Sequence, residues 1–417
     1  MEDNFTRRRN AFYNKFDSFW DRLYGIEYSL FDCHTISDLE KTHIRRATNE
    51  AYKIFKKTNE LVKQADDETF LKLGLPEKTI PFLRQHGIGY ETVIGRFDFV
   101  LTAEGLKILE FNADTPTFIR ELFEVNGAVC KEFGFVDPNQ GMDENVGEVI
   151  RDAVYRSARQ IGVHGHPYVV FTAHANDIED RQTMMYLMNL AAISDATFVP
   201  LDQLHVNSEG DQPGVYDLEG KKIDVVYRHT YPLEALIEDQ TEDGFAIGEA
   251  FLELVSRGQV AILNPPSAFL MQTKAMLALI WGMHEKGHPY FTEDEHRHIA
   301  SYFLPTYLDE DPFIETGDRY VSKPVFGREG DTVFIKQSGK QIKSQKKQTY
   351  NHYLKIYQTY VDLPKTWVKT EEGKKEVHLL IGSFVVGEQA SAFGLRAGAA
   401  ITDNLSYFLP CGVKGEN

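Results

Sequence analysis

The sequence predicts an α+β fold, with antiparallel strands near both ends of the chain and a smaller α/β segment in the middle. Residues 94–114, and the chain from Arg319 onward, carry apolar and aromatic runs separated by glycine-containing turns, which is typical of hairpins. From about Tyr168 to Leu263, short apolar runs alternate with helical patterns, which indicates parallel β-α units. A chain of 417 residues is too long for one ordinary core, so two or three packed domains are expected.

The composition excludes several classes of function. Hydrophobic residues make up 42% of the chain and charged residues 26%, as in globular proteins, and the net charge is −17. Such an acidic chain is not expected to bind nucleic acid or an anionic membrane, because both select basic surfaces. A nucleotide is not excluded, since one triphosphate needs only a few local cations and a metal. The expected partners are small molecules, and self-association as a homo-oligomer is left open.

The sequence also predicts a cytoplasmic protein. The basic residues 7–9 have no apolar stretch behind them, so no secretory signal is expected. The apolar run 276–281 is far shorter than a membrane span. The three cysteines, Cys33, Cys130 and Cys411, are odd in number and widely spaced, which fits neither a disulfide framework nor a thiolate metal site. This cysteine usage indicates a reducing compartment.

Helices are predicted for most of the first 65 residues. Asp38 opens a stretch with apolar residues at positions 44, 47, 51, 54 and 55, close to the 3.6-residue period of a helix. The elements predicted after it are a helix at about 145–161, strands at 169–172, 197–200, 223–228 and 260–263, and helices at 177–188 and 269–283. The lysine- and glutamine-rich stretch 337–348 is predicted to be exposed, either as a lid or as a solvated run of charge.

One hairpin is predicted in more detail. Two strand patterns, at 94–101 and 106–112, flank a three-residue loop. The loop ends in Gly105, and a glycine is free to adopt the positive φ that this kind of connection needs. This loop length pairs Thr102 with Leu106.

The same register brings four polar side chains together. It places Asp98 opposite Glu110 and Arg96 opposite Asn112, and alternation along each strand turns all four to one face. Two carboxylates and an amide oxygen suit a hard cation such as Mg²⁺, and the arginine would stabilise a transferring phosphoryl group. The alternative is a solvated sheet face with a cross-strand Arg–Glu pair. The hairpin alone does not decide between them.

Three further features favour a phosphate site. Lys323 ends a strand pattern and precedes Gly327 and Gly330, so the cation can meet phosphate while the bare backbone closes over it. The spacing is not that of a Walker loop. Lys274 is a single cation in an apolar helix, with a snorkelling side chain as the alternative. Arg396 ends a strand-rich segment, and an ordinary surface arginine is the alternative there.

These motifs resemble the synthetase part of the glutathionylspermidine synthase family, which has an ATP-grasp fold and includes the trypanothione synthetases. The resemblance runs from about residue 12 to residue 409, and its most specific element is the Arg-x-Asp and Glu-x-Asn pair. The segments that carry it are 95–99, 109–114, 273–277, 323–330, 356–358, 363–365 and 394–396.

The resemblance implies a role for each candidate residue. The implied Mg²⁺ ligands are Asp98, Glu110 and Asn112, and the implied phosphoryl-stabilising arginines are Arg96 and Arg396. The implied ATP-binding residues are Lys274, Lys323, Gly327, Gly330 and Gln358. The implied substrate residues are Thr115 and Thr117 on the carboxylate side and Glu234 on the amine side.

The implied enzyme is an ATP- and Mg²⁺-dependent ligase that joins a peptide-like acid to an amine or polyamine through an acyl phosphate. The implied fold is an ATP-grasp module built from residues 1–150 and 291–417, with a preATP-grasp-like β-α domain at 151–290. Two alternatives remain, a non-catalytic nucleotide-binding or scaffold protein and an enzyme that phosphorylates its acceptor without forming an amide. Phe393 stands where the family is richer in glycine and is expected to reshape a pocket wall, so both substrates stay open.

Overall fold

Strands from both ends of the chain combine in one antiparallel sheet, and this arrangement positions the candidate site. The structure is a computed structural model that describes residues 4–85, 87–228, 231–328, 330–344, 348–401 and 405–415. Within those ranges the architecture is mixed α/β. No helix in the same ranges is long and apolar enough to cross a membrane.

The α-helices are α1 (Asn4–Tyr13), α2 (Asp38–Val62), α3 (Asp67–Lys72), α4 (Ile80–Leu83), α5 (Asn126–Phe133), α6 (Met142–Gln160), α7 (Ile178–Ala191), α8 (Leu233–Leu236), α9 (Ile247–Ser256), α10 (Pro266–Gln272), α11 (Ala275–Glu285), α12 (Glu293–Tyr302) and α13 (Asp311–Thr316). The strands are β1 (Arg22–Leu23), β2 (Ile26–Glu27), β3 (His34–Ile36), β4 (Ile94–Thr102), β5 (Gly105–Asn112), β6 (Val169–Thr172), β7 (Ala196–Phe198), β8 (His205–Asn207), β9 (Gly214–Tyr216), β10 (Val225–Arg228), β11 (Ala261–Leu263), β12 (Thr306–Tyr307), β13 (Arg319–Pro324), β14 (Phe334–Gln337), β15 (Lys340–Ser344), β16 (Lys355–Thr359), β17 (Lys365–Thr370), β18 (Gly373–Val386), β19 (Gln389–Gly398), β20 (Tyr407–Leu409) and β21 (Cys411–Val413). A π-helical turn covers Glu121–Val125, and 3₁₀ turns cover Glu77–Thr79 and Leu201–Gln203.

The antiparallel sheet that carries the candidate site, here called the site sheet, has the order β20-β19-β18-β4-β5. Hairpin β4–β5 is therefore joined to strands from the C-terminal part of the chain. The predicted register is confirmed at the site, where Asp98 lies opposite Glu110 and Arg96 opposite Asn112. On the other side of β4, the partner of Asp98 is Gly382 on β18. A second antiparallel sheet, in the order β12-β16-β13-β14-β15, faces the hairpin across a cleft.

The predicted turn of the hairpin is wrong by one residue. Thr102 pairs with Gly105 and not with Leu106, so the connection has two residues instead of three. A β-bulge in which Leu109 is the extra residue of β5 then restores the register before the site is reached. The predicted partners are correct because the short turn and the bulge compensate each other.

The parallel sheet in the middle of the chain confirms the predicted β-α units. Its order is β11-β10-β6-β7, and its adjacent strands are parallel. Every residue of β6 and β10 is buried, as expected for strands covered on both faces. Helices α6 and α7 pack against each other beside this sheet.

Three predicted elements differ from the structure. The first 65 residues hold short strands between α1 and α2 as well as helices. The helix predicted at 269–283 is divided into α10 and α11, because the N–H of Lys274 donates to the carbonyl of Val325 (2.9 Å) and leaves the helical pattern. The charged stretch 337–348 is partly strand, since it includes β15, in which residues 340–343 are exposed, and residues 345–347 lie outside the described ranges.

The apolar face of the hairpin anchors the site sheet in the core. The rings of Phe97 and Phe111 stack with centroids 3.9 Å apart. Phe55 of α2 meets both rings edge-on, at 5.5 and 5.0 Å. Ser37 caps this helix in a capping box with Glu40. Close packing of these rings fixes the position of the polar side chains on the opposite face.

Close packing of α6 on α7 gives a test of the fold. A Cβ at Gly147 would lie 2.2 Å from the carbonyl oxygen of Leu190. We expect Gly147→Ala to lower the free energy of unfolding by about 1–3 kcal/mol, the usual cost of overpacking. Gly282→Ala in α11 is the control, because nothing lies within 4 Å of its Cβ position, and it should raise stability by up to about 1 kcal/mol. Urea unfolding measures both, and equal effects would contradict the packing.

Candidate active site

Two clefts meet along one wall beside hairpin β4–β5. The first cleft has a cavity volume of about 140 Å³ and lies between the site sheet and the second antiparallel sheet. The second cleft has a cavity volume of about 170 Å³ and lies between the hairpin, the segment around β1 and the start of α7. Glu110, Arg328 and Arg396 line both clefts, so the two clefts are adjacent along this wall.

Arg96 and Asp98 form a buried ion pair on β4. Arg96 donates from Nε to Asp98 Oδ1 (2.6 Å), from Nη2 to Asp98 Oδ2 (3.1 Å) and from Nη1 to the carbonyl of Thr117 (2.6 Å). Gly382 leaves room for this pair, since a Cβ there would lie 3.1 Å from Arg96 Cδ. Burial raises the pKa of Asp98, and the Arg96 guanidinium opposes that shift. The Asp98 carboxylate is therefore stabilised by any further cation placed beside it.

Glu110, opposite Asp98, is held as a carboxylate. Its Oε2 lies 3.4 Å from Lys274 Nζ, and its Oε1 accepts a hydrogen bond from Asn112 Nδ2 (3.2 Å). Burial alone would raise the pKa of Glu110, but the charges of Lys274 and Lys323 and the Asn112 hydrogen bond outweigh burial and lower that pKa to about 2. At neutral pH, Glu110 thus supplies a negative charge and not a proton.

Lys323, on β13, brings a second cation close to Glu110. Its Nζ donates to the carbonyl of Leu109 (2.9 Å), the extra residue of the bulge. Burial, reinforced by the charge of Lys274, lowers the pKa of Lys323 to about 8, although Glu110 and Asp98 oppose the shift. A bound anion would raise this pKa again, so Lys323 is suited to a ligand that brings negative charge.

Lys274 owes its position to the break between α10 and α11. Its Nζ donates to the carbonyl of Gly327 (3.0 Å) and lies beside Glu110. The residue is 7% exposed, so the alternative of a snorkelling surface lysine is excluded. The break in the helix turns this cation into the first cleft instead of along the helix surface.

The wall between the clefts concentrates positive charge. The cations that line one or both clefts around the hairpin are Arg96, Lys274, Lys323, Arg328 and Arg396. These five cations are accompanied by the carboxylates of Asp98, Glu110 and Asp331, which leaves a local excess of +2 in a chain whose net charge is −17. A concentration of cations of this kind favours a polyphosphate ligand.

The start of α7 brings acidic side chains to the second cleft. Asp177, Glu179 and Asp180 line it at the start of α7. Asp177 also caps that helix, since its Oδ1 accepts from the N–H of Asp180 (3.0 Å). Burial, reinforced by the neighbouring Glu121, raises the pKa of Glu179 well above its usual range. The second cleft is therefore lined both by cations of the shared wall and by acidic residues of α7, of which Glu179 is held toward its neutral form.

The oxygen donors on the hairpin fit a hard cation. Asp98 and Glu110 are directly opposed, and Asn112 adds an amide oxygen to the same face. In the described part of the chain, no group of three or more His, Cys, Asp or Glu side chains is placed to hold a metal by itself. A metal at the hairpin would therefore take part of its coordination from a bound phosphate, which is how Mg²⁺ is commonly held beside nucleotides.

A family profile covers almost the whole chain. The profile described as glutathionylspermidine synthase preATP-grasp matches residues 6–414. The chain belongs to this family. Membership confirms the resemblance that the hairpin and the lysine motifs indicate.

The relatives of this glutathionylspermidine synthase family member are distant. The chain is 24% identical over 399 residues to a Haemophilus influenzae protein named "Putative acid–amine ligase", covering 94% of this chain and 90% of that protein. It is 23% identical over 396 residues to the bifunctional glutathionylspermidine synthetase/amidase of Escherichia coli, covering 89% of this chain and 57% of that protein. A glutathione synthetase-like effector from Globodera pallida, solved in its apo form, aligns with a TM-score of 0.54 at 13% identity, over 92% of this chain and 90% of that one, which bears on the fold alone.

The structure brings all but one of the predicted site residues to the two clefts. The first cleft is lined by Asp98, Glu110, Lys274, Lys323, Gly327, Gly330, Gln358 and Arg396. The second cleft is lined by Arg96, Glu110, Asn112, Thr115, Thr117 and Arg396. Glu234 is the exception, because it lines a separate cavity with Glu238 and Tyr353. Its assignment to the amine stays a prediction.

The positions of two further residues differ from what the sequence analysis predicted. Phe393 lines neither cleft, is fully buried and packs in the core, because β19 turns its side chain to the apolar face of the site sheet. Arg328 was part of the lysine motif without a role of its own, yet it lines both clefts and donates to the Thr115 hydroxyl. The family motif could have indicated Arg328, because a cation inside a phosphate-binding loop usually contacts the bound anion.

Proposed function

We propose that this protein is an ATP- and Mg²⁺-dependent carboxylate–amine ligase with an ATP-grasp arrangement. The observation that carries the proposal is the cationic wall shared by two clefts in an otherwise acidic chain. A nucleotide in one cleft could phosphorylate an acid held at the same wall in the other cleft. The activated acid could then react with an amine without leaving the protein. The names of the two relatives, a ligase and a synthetase, support the same class of reaction.

The first cleft is proposed to hold the nucleotide, with its phosphates toward the shared wall. The proposed nucleotide contacts are Lys274, Lys323, Gly327, Gly330 and Gln358, and the proposed Mg²⁺ ligands are Asp98, Glu110 and Asn112. When bound, Mg²⁺ would neutralise phosphate charge. The lysines add to this, and the glycines allow the backbone to approach the phosphates closely.

The second cleft is proposed to hold the acid and the amine. Thr115 and Thr117 offer hydroxyl groups beside Arg328, which is a suitable setting for a carboxylate. Asp177 and Asp180 line the same cleft, and their carboxylates would favour a protonated amine. The cleft thus offers cations to a carboxylate and carboxylates to an amine.

The proposed chemistry has two steps. A carboxylate oxygen of the acid attacks the γ-phosphorus of ATP, the bond to the β-phosphate oxygen breaks, and ADP leaves. The amine, once its ammonium form has released one proton to water, attacks the acyl carbon through its nitrogen. The bond from that carbon to the phosphate oxygen breaks, inorganic phosphate leaves, and the nitrogen releases a second proton to water as the amide forms. Arg96 and Arg396 are proposed to stabilise the phosphoryl group during its transfer.

The proposed domain arrangement follows the sheets. Residues 1–150 and 291–417 would form the ATP-grasp module, which the pairing of β4 with β18 supports, and residues 151–290 would form the smaller domain around the parallel sheet. Val333 and Ile335 line the first cleft, so hairpin β14–β15 is the proposed lid that excludes water from the acyl phosphate. The three free cysteines support a cytoplasmic location.

The test is ADP release with pairs of an acid and an amine, starting with glutathione and other thiol peptides against spermidine, other polyamines and amino acids. The ligase requires both co-substrates for full ADP release, and mass spectrometry should detect the amide. Hydroxylamine should trap the acyl phosphate when the amine is omitted. A nucleotide-binding scaffold would give no release with any pair, and an enzyme that only phosphorylates its acceptor would give ADP without an amide.

The lowered pKa of Lys323 predicts that nucleotide binding weakens in alkaline solution. The protonated amine binds phosphate, and its fraction in the free protein falls as the pH rises through about 8. Above this pH, we expect the Kd of a non-hydrolysable Mg²⁺–ATP analogue to rise by up to about tenfold per pH unit. Lys323→Arg is the control, since its guanidinium stays charged, and it should flatten the profile. A wild-type Kd that does not change between about pH 7 and pH 9.5 would contradict the assignment.

A further inference from the structure

A buried ion pair joins the end of the hairpin to the parallel sheet. Asp114 follows β5, and Arg228 is the last residue of β10. Arg228 Nη2 donates to both carboxylate oxygens of Asp114, at 2.9 and 3.0 Å. The two residues are 0% and 1% exposed, and neither is among the residues that line the two clefts. A bound substrate therefore does not contact this pair directly.

Side chains from other segments hold the backbone of Asp114, and Arg228 in turn holds a backbone carbonyl. The N–H of Asp114 donates to Gln272 Oε1 (2.9 Å), and its carbonyl accepts from Asn264 Nδ2 (2.5 Å). Arg228 Nη1 donates to the carbonyl of Tyr231 (2.7 Å). The pair is thus a node between the hairpin, the end of β10, the end of β11 and helix α10.

The neighbours of this node belong to both clefts. Asn112 lies two residues before Asp114, and Thr115 lies directly after it. Lys274 lies two residues after Gln272, whose side chain holds the Asp114 backbone. A shift of Asp114 would therefore move a proposed metal ligand, a proposed acid contact and a proposed phosphate contact relative to one another.

We propose that the Asp114–Arg228 pair positions the acid-binding loop in line with the nucleotide phosphates. This inference rests on the proposed ligase function. Stability alone does not explain the pair, because buried ion pairs are often replaced by apolar residues without loss of stability. A positioning role does explain the pair, because the attacking oxygen of the acid must lie in line with the γ-phosphorus. A displacement of about 1 Å from that position costs roughly 100-fold in rate.

The experiment removes both charges together. The double variant D114N/R228M keeps the backbone contacts of residue 114 and most of the volume at residue 228, and it leaves no buried charge unpaired. We expect its melting temperature to stay within about 4 °C of wild type. The Kd of a non-hydrolysable Mg²⁺–ATP analogue should stay within about threefold, while kcat for acid- and amine-dependent ADP release falls roughly 100-fold.

Two single variants complete the design. R228M leaves the Asp114 carboxylate buried and unpaired, so it should lower the melting temperature as well as kcat. Asn126→Leu is the matched control for a lost buried polar node, because Asn126 is fully buried and its Nδ2 donates to the carbonyl of Cys411 (3.0 Å), away from both clefts. The control should lower the melting temperature and leave kcat unchanged below the unfolding transition.

The outcomes are distinguishable. Wild-type kcat in the double variant would overturn the positioning role, and so would a loss of kcat that only follows the melting temperature across all variants. Absence of ADP release by the wild-type protein with every acid and amine pair would overturn the proposed function, and the positioning role would fall with it. A large loss of kcat in the double variant, at unchanged melting temperature and nucleotide affinity, supports both the positioning role and the proposed function.

Discussion

Glu110→Gln is expected to reduce ADP formation by at least about 10³-fold while the protein stays folded. Glu110 is ionised at any practical assay pH, since its pKa is about 2, so the variant removes a charge and not a proton donor. The change conserves shape, and the amide oxygen can still accept the hydrogen bond from Asn112. Loss of one charge-stabilising group at such a site typically costs roughly 10²–10³-fold, and a weakened metal site adds to that cost.

The measurement is coupled-assay ADP release over a range of Mg²⁺ concentrations, with the melting temperature as a check on folding. Glu104→Gln makes the same change in charge in the exposed turn of the same hairpin and should behave as wild type. A rise in the Mg²⁺ concentration for half-maximal rate would assign the loss to the metal. If E110Q keeps more than about a tenth of the wild-type rate, Glu110 is not part of the reacting centre.

Arg396→Met is expected to lower kcat by about 10³-fold with little change in nucleotide affinity. Arg396 lines both clefts, so its guanidinium lies where a phosphoryl group would pass from the nucleotide to the acid. Arginines that stabilise a transferring phosphoryl group contribute about 10³–10⁵-fold to the rate. That contribution belongs to the transition state, and binding in the ground state should therefore be nearly unaffected.

Single-turnover rates and the Kd of a non-hydrolysable ATP analogue separate the two effects of Arg396→Met. Arg319→Met is the control, because Arg319 is an exposed residue of β13 whose Nη2 lies 3.6 Å from Asp362 Oδ2. It should leave both quantities unchanged. A loss of affinity as large as the loss of rate would show that Arg396 serves binding alone.

The hairpin shows how far local sequence rules reach. Strand alternation predicted which four polar side chains share a face, and the structure confirms it. The turn length was wrong, and the site register was correct only because a bulge at Leu109 compensates. The carbonyl of Leu109 is held by Lys323, which lies more than two hundred residues along the chain. No pattern within the hairpin records that contact, so no local rule could have placed the bulge.

Tertiary contacts account for the other differences. The apolar pattern resumes after Gln272, Thr273 and Lys274, so it reads as one helix, and the break there depends on Val325, which directly follows β13. Asp177, Glu179 and Asp180 match an ordinary helix start, where acidic side chains interact favourably with the helix dipole. The sequence therefore did not indicate that they line the second cleft. The parallel β-α units and α2 were predicted well, because burial on both faces of a strand and the 3.6-residue apolar period of a helix leave strong local patterns.

The pairing of β4 with β18 also determines how long β4 lacks its partner strand while the chain is being synthesised. Strand β4 ends at Thr102 and β18 begins at Gly373, so about 270 residues separate the two partners. At about 5–20 residues per second, a ribosome needs roughly 14–54 s to make that stretch. During this interval the open edge of β4 has no strand beside it, and such an edge readily pairs with other chains. Protection of this edge on the nascent chain therefore bears directly on how much of the newly made protein reaches its folded state.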